Sequence, residues 1–218
     1  FRDNTEFHTA LRRNVEAYFQ RTGRPKRGNW QVYLKAAVLL SAFFASYLVL
    51  VFLAGNLWQG LISAVVLALS ITGIGFNIMH DGGHNAFSEH RWVNRMAATT
   101  LDLIGVSSYV WHWKHAMYHH NYVNIVGYDP DVDVGMLARF APHQRRLWFH
   151  RWQHLYVWAL YAFLVAKLQL FNDFYHLIVG RIHTHPTPRP KGSDLAIFIG
   201  GKTTFFVLAF VLPLFFHP

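Results

Sequence analysis

The stretch AAVLLSAFFASYLVLVFLAGNLWQGLISAVVLALSITGIGFNIMH, residues 36–80, contains no Asp, Glu, Lys or Arg. One membrane crossing takes about 20 residues, so an apolar run of this length holds two. Gly55, Asn56, Gln59 and Gly60 interrupt it near the middle. It reads as a helical hairpin with spans at about 33–53 and 57–79, closed by a tight turn, with Lys35 snorkelling at the first entry. Residues 1–30 lie upstream and are polar and basic. Phe7, Leu11, Val15, Tyr18 and Phe19 recur there at helical spacing, with Asn4 as N-cap and Gly23 and Pro25 as the stop. That pattern predicts a short amphipathic helix on a surface. Residues 1–35 hold eight Lys or Arg and the hairpin turn holds none. The positive-inside rule therefore places the N-terminus, and the end of the second span at His80, in the cytoplasm.

Downstream, Ala97 to Val110 is too short to span and contains Asp102, so it reads as interfacial or re-entrant. Trp152 to Ala166 is also short. Its Trp152, Tyr156, Trp158 and Tyr161 favour the headgroup level, so an interfacial helix is expected. Residues 183–191 read as a loop. Leu195 to Phe216 is the third span, weakened in its first half by Gly200, Gly201 and Lys202. The expected class is an all-α integral membrane protein: a transmembrane hairpin, a cytoplasmic histidine-rich helical region and a further C-terminal span. The chain begins at Phe1 and stops at Pro218 after an apolar run, which reads as a fragment lacking both ends.

Composition agrees. Of 218 residues, 53% are hydrophobic and 14% charged, against roughly 25% charged in a soluble domain. With 17% aromatic residues the chain does not stay solvated as a disordered segment. The net charge of +9 fits cytoplasmic loops beside anionic lipid, and nucleic acid is not expected as a partner. Cysteine is absent, which excludes disulfides, cysteine-ligated iron–sulfur clusters and thiolate zinc sites.

Histidine carries the chemistry. Of 15 His, 13 lie between His80 and His185. His80 and His84 flank Asp81-Gly82-Gly83, and His115 stands four residues before His119 and five before His120. Residues four apart on a helix share a face, about 6 Å apart. His120 is turned about 100° further round, toward a second metal or the neighbouring side of one. Imidazole suits iron, zinc, copper and nickel. Five imidazoles exceed what one tetrahedral zinc needs, which favours two metals, or one with an incomplete partner site. His143, His150 and His154 fit a basic surface better than a metal site.

The phrase His-Asp-Gly-Gly-His-Asn-Ala-Phe-Ser (80–88) resembles the first histidine box of membrane fatty acid desaturases. Lys-His-Ala-Met-Tyr-His-His-Asn-Tyr-Val-Asn-Ile-Val-Gly-Tyr-Asp-Pro-Asp (114–131) resembles their second box, of the linoleoyl-CoA or acyl-lipid type. The resemblance covers nearly the whole chain and makes residues 31–218 a desaturase domain incomplete at its C-terminus, behind a cytoplasmic segment at 1–30. It implies that His80, His84, His115, His119 and His120 ligate two iron ions. It further implies that Asp81 holds an imidazole tautomer, that Asn121, Asn124 and Asp129 are polar supports, and that O2 is the co-substrate. No catalytic residue beyond the ligands is implied. His112, on the same stripe as His115, stays ambiguous. Ala116 and Val123 depart from the usual pattern without touching a ligand position. The third histidine box of the family is missing, so the fragment alone is expected to be inactive. The implied reaction removes two hydrogens from adjacent carbons of a fatty acyl chain. Trp111, Trp113 and Ile104 are candidates to line its tunnel, unless they serve interface packing. Electrons would come from a separate ferredoxin or b-type cytochrome. Arg139, Arg145, Arg146 and Arg151 offer a basic docking face, or contact lipid headgroups. The expected setting is a multi-pass protein of the cell inner membrane or endoplasmic reticulum with its boxes facing the cytoplasm. A hydroxylase or ketolase of the same superfamily is the near alternative. A histidine-rich metal transporter is the distant one, and it would need ligands at mid-bilayer.

Overall fold

Asparagine caps fix where the hairpin helices begin. Residues 5–132 and 135–217 are described in the computed structural model of the chain, so the expected N-cap Asn4 lies outside the described residues. Helix α1 (Thr5–Thr22) buries none of its residues, and Phe7, Leu11, Val15 and Tyr18 stay exposed along one stripe. Helix α2 (Trp30–Leu53) starts at Asn29, whose side chain accepts a hydrogen bond from the Val32 N–H at 3.0 Å. Helix α3 (Leu57–Gly83) starts at Asn56, which accepts from the Gln59 N–H at 3.0 Å. Each cap satisfies a donor that the helix end leaves open. The Gln59 side chain accepts in turn from the Gly55 N–H at 2.9 Å and closes the tight turn.

Helix α4 (Arg91–Leu103) folds back on the end of α3. Helix α5 covers residues 108–122, α6 is Trp148–Val179 and α7 is Ser193–Phe216. Between α6 and α7 a small antiparallel hairpin pairs β1 (Arg181–Ile182) with β2 (His185–Pro186). The main core lies between α2, α3 and α4 and contains Phe43, Ile74, Ile78, Phe87 and Leu101. Glycine permits the tightest approach there: a Cβ on Gly82 would sit 2.6 Å from both the Ala97 Cβ and the Ala98 nitrogen.

Helix α7 joins this bundle parallel to α2. At its start Asp194 and Ser193 bind the Arg95 guanidinium at 2.8 and 2.9 Å. At its far end the Tyr47 hydroxyl donates to the Leu208 carbonyl at 2.7 Å, and Phe216 packs on Phe52. Helices α2, α3, α6 and α7 are each long and apolar enough to cross a membrane. Leu57, Trp58, Phe76 and Phe215 are more than 70% exposed, and exposing each such side chain to water would forgo about 1.5–3 kcal/mol. These surfaces belong in lipid, and the chain is a membrane protein.

The sequence reading differs from the structure at several boundaries. Helix α3 does not stop at Met79. A wide π turn at Gly75–Met79 carries it on, so His80 stands in its last turn. The stretch 97–110 is the end of α4, a turn, and the start of α5. Gly200, Gly201 and Lys202 do not weaken α7, because Gly201 packs closely on Asp102 and the Lys202 ammonium is fully bonded. Helix α6 runs well past Ala166 to Val179. Near its start Gln153 accepts from the Arg139 N–H at 2.7 Å, and in its C-terminal half Gln169 donates to the Ile104 carbonyl at 2.8 Å.

Gly82→Ala should lower stability by about 1–3 kcal/mol, because the methyl meets backbone rather than a flexible side chain. Gly60→Ala, which meets nothing within 4 Å, should leave stability unchanged or raised. Thermal unfolding in detergent reads both.

Candidate metal centre

The end of α3 and the middle of α5 face each other across a short gap, and each brings its histidines to it. The stretch His112–His119 of α5 is π-helical, and the His120 N–H bonds to the His115 carbonyl five residues back. An i→i+5 turn is wider than a regular one and turns less per residue. His120 is therefore rotated away from His115 by less than regular helix geometry predicts. The Nε2 atoms of His115 and His120 approach to 3.2 Å. His119 lies beside them, its ring stacked on His115 with centroids 5.1 Å apart. From α3, His84 stands 4.7 Å from the His120 ring and 4.6 Å from that of His80. All five histidines singled out from the sequence thus form one cluster.

Carboxylates set the tautomers. Asp129 is fully buried, and both its oxygens receive the His119 Nδ1, at 3.0 and 3.1 Å. It also accepts from the backbone N–H groups of Asn124 and Asp131, at 2.8 and 2.9 Å. Burial raises its proton affinity, but these hydrogen bonds outweigh that and hold its pKa below the ordinary carboxylate value. An ionised carboxylate only accepts, so His119 carries its proton on Nδ1 and keeps the Nε2 lone pair. Asp131 acts likewise on His115 Nδ1, at 3.3 Å, while Lys114 neutralises it at 2.6 Å. His84 differs. Its Nε2 is buried and has no hydrogen-bond partner among the described residues. Burial, together with the imidazoles of His80, His120 and His115, pushes its pKa down to about 4.

Two sets of donors lie within 4.8 Å of one another: His80, His84 and His115, and His115, His119 and Asp131. Only the first has a buried donor atom without a partner, which is what an imidazole-bound metal removes. On the Asp131 side the carboxylate is already neutralised by Lys114, so we read that side as support for the rings. The residues fit a metal favoured by imidazole nitrogen.

The other expected residues divide. Asp81 does not bond His80, whose Nδ1 is 3.7 Å from its carboxylate, beyond hydrogen-bond range. Its carbonyl accepts from the Ala86 and Phe87 N–H groups and shapes the loop after His84. The Asn121 side chain bonds back to the Met117 carbonyl and touches no ligand. Asn124 supports the site through its backbone, in the left-handed conformation (φ 61°). Trp111 stacks on His115 at 4.7 Å and packs against Gly83, where a Cβ would lie 2.2 Å from the indole. Trp111, Trp113 and His112 line a cavity of about 500 Å3 between α4, α5 and α7. Ile104 does not reach it, being buried in the main core. His150 bonds the Met136 carbonyl and the Leu147 N–H, an ordinary loop role.

Sequence reasoning missed Asp131 and Lys114, although both stand inside the quoted second-box phrase. It also missed the clasp over the loop that follows. There Thr184 and His185 bond the carbonyls of Gly127 and Tyr128, and Tyr118 donates to the Pro186 carbonyl. Among known proteins, the fatty acid desaturase family profile matches residues 56–218. The chain belongs to the fatty acid desaturase family. It is 33% identical over 208 residues to the sn-1 linoleoyl-lipid 6-desaturase of Arthrospira platensis, covering 95% of this chain and 56% of that protein. It is 31% identical to the Synechocystis enzyme of the same name, covering 98% of this chain and 60% of the relative. Against the acyl-lipid (8-3)-desaturase of Physcomitrium patens it is 30% identical, covering 97% and 44%. The chain thus spans about half the length of these desaturases. No solved structure matches it.

Asp129→Asn should weaken metal retention by about 10–100-fold, the usual effect of losing a carboxylate behind a ligand imidazole; metal analysis after dialysis measures it. The pH response follows from His84. Its pKa in the folded protein lies below the ordinary 6.5. As pH falls from 6.5 toward 4, the unfolded chain binds the proton and the folded one does not. The metal-free protein should lose stability across that window, and His84→Gln should flatten the loss in melting curves.

Proposed function

We propose that the chain, within a protein of its relatives' length, desaturates a fatty acyl group using O2 and a histidine-held iron pair. The convergence of His80, His84, His115, His119 and His120 on one point, with the His84 Nε2 buried and unpartnered, carries this reading. Bound iron would supply the O2 activation that an unactivated methylene requires and that no side chain provides. The chain's own residues do the rest. Asp129 and Asp131 keep protons on the Nδ1 atoms of His119 and His115 and leave Nε2 free. Trp111 covers the rings of His115, His80 and His84 and keeps water from them.

The acyl chain enters the cavity between α4, α5 and α7. Ala98, Trp111, Trp113 and Ile197 supply its apolar wall, and Arg91 and Arg95 stand at its polar edge. The relatives are named for linoleoyl-lipid and acyl-lipid substrates, which favours a lipid-bound acyl group here. A separate ferredoxin or b-type cytochrome delivers the electrons, on the basic face around Arg139, Arg145, Arg146 and Arg151. The Lys and Arg excess of residues 1–35 orients the boxes to the cytoplasm.

In a host supplied with the acyl-lipid, the full-length protein should introduce a new double bond, detected by gas chromatography and mass spectrometry. His84→Ala or His119→Ala should abolish both the product and the iron, which should be two per chain in the parent. Stoichiometric zinc without iron, or an alcohol in place of the alkene, refutes the proposal. Because the chain has no Cys, Asn56→Cys should be labelled from outside the cell and Glu89→Cys from inside. The reverse pattern overturns the orientation.

A further inference from the structure

A lysine stands in the middle of the apolar helix α7. Lys202 is 6% exposed, and its ammonium lies 5.1 Å over the Phe174 ring. A buried charge is severely destabilising unless paired and hydrogen-bonded, so its partners explain its presence. It donates to the Gly105 carbonyl at 2.7 Å, the Gln169 carbonyl at 2.9 Å and Asp173 at 2.7 Å. Asp173, 1% exposed, accepts in turn from the Ser107 N–H at 2.7 Å.

These bonds belong to a larger pattern. The turn between α4 and α5 has its backbone groups bonded by side chains from three different helices. Gln169 of α6 binds the Ile104 carbonyl, and Lys202 of α7 binds the Gly105 carbonyl. Asp173 of α6 takes the Ser107 N–H, and Asp102 of α4 takes the Ser108 N–H at 3.3 Å. A turn of this kind ordinarily needs only local bonds. Here both N–H groups at the start of α5 meet carboxylates, which the helix dipole favours. The Ser107 hydroxyl adds the N-cap by accepting from the Val110 N–H. Two turns further along the same helix stand His115, His119 and His120. Their wide helical turn is of a rare kind that recurs at functional sites, and its rings are carried on a helix whose origin this turn holds.

We propose that Lys202 and Asp173 are positioning residues for the metal centre: they anchor the N-terminus of α5 and thereby set where its three histidine rings stand. The inference rests on the metal-centre reading above, and neither residue touches the cluster. Lys202 fixes the height of the turn through the Gly105 carbonyl. It also donates to Asp173 Oδ2, the same oxygen that accepts from the Ser107 N–H. Asp173 converts that into a fixed origin for the helix. An error of about 1 Å at a reacting centre can cost on the order of 100-fold in rate, so a displaced origin is felt at the rings.

The full-length protein is compared with Lys202→Met, Lys202→Arg and the double variant Lys202→Met/Asp173→Asn, which removes both charges and leaves neither unpaired. Three measurements are read: the visible ligand-field spectrum after Co(II) substitution, amide hydrogen exchange of residues 104–122 in the metal-free protein, and the split between kcat and KM. Lys202→Met should shift the Co(II) spectrum and speed exchange over 107–120. It should lower kcat by about 10-fold or more with KM unchanged. Lys202→Arg should restore much of the parent spectrum. The double variant should fold and keep the shifted spectrum, and it decides the matter if Lys202→Met fails to fold. An unaltered spectrum and unaltered exchange in the double variant overturn the proposal. If the parent binds no Co(II), the metal-centre reading fails instead, and hydrogen exchange still decides whether the pair anchors α5.

Discussion

The geometry of the second histidine box is built from the buried carboxylate of Asp129. It is fully enclosed, and every bond it makes fixes something else. One bond aims the His119 ring, and another holds the backbone at Asn124. A third fixes the backbone of Asp131, whose side chain then reaches His115 and Lys114. Such a group is tolerated only because donors surround it. Those hydrogen bonds, against the effect of burial, hold its pKa below the ordinary carboxylate value. The β1–β2 clasp presses the 127–128 loop into place from the other side.

What the sequence made legible was periodic or compositional. The uncharged run at 36–80 disclosed the hairpin, and the spacing of His80 with His84 and of His115 with His119 disclosed the cluster. The caps at Asn29 and Asn56 were not read from the sequence; Asn56 stood out only as a break in the apolar run. What else stayed hidden was not local. A regular helix was assumed through His112–His119, and only the wide turn brings His120 onto His115. Asp81 is adjacent to His80 in the chain yet misses it, whereas Asp131, 16 residues from His115, reaches it. Lys202 looked like a defect in a span because its partners at 105, 169 and 173 come from other parts of the chain.

Two kinds of surface meet in this fold. The outer faces of α2, α3 and α7 are apolar and exposed, and lipid replaces the water that would otherwise oppose them. At the layer where these helices end, polar groups are held in bonded sets: the imidazoles of His115 and His119 with their acids, and the turn at 104–108 with its four side chains. In a medium without water each such set is complete or costly. That constraint accounts for the clustering of charge in a chain with so little of it.

The attachment of α6 to the turn at 104–107 bears on biogenesis. This helix has the length and composition that an insertion machinery reads as a crossing segment, yet its C-terminal half holds the turn that anchors α5. Gln169 and Asp173 meet residues 104–107 there, and Lys202 joins them from α7. The junction therefore closes only once the chain has been made as far as Lys202, so the place of α5 is sealed late in synthesis.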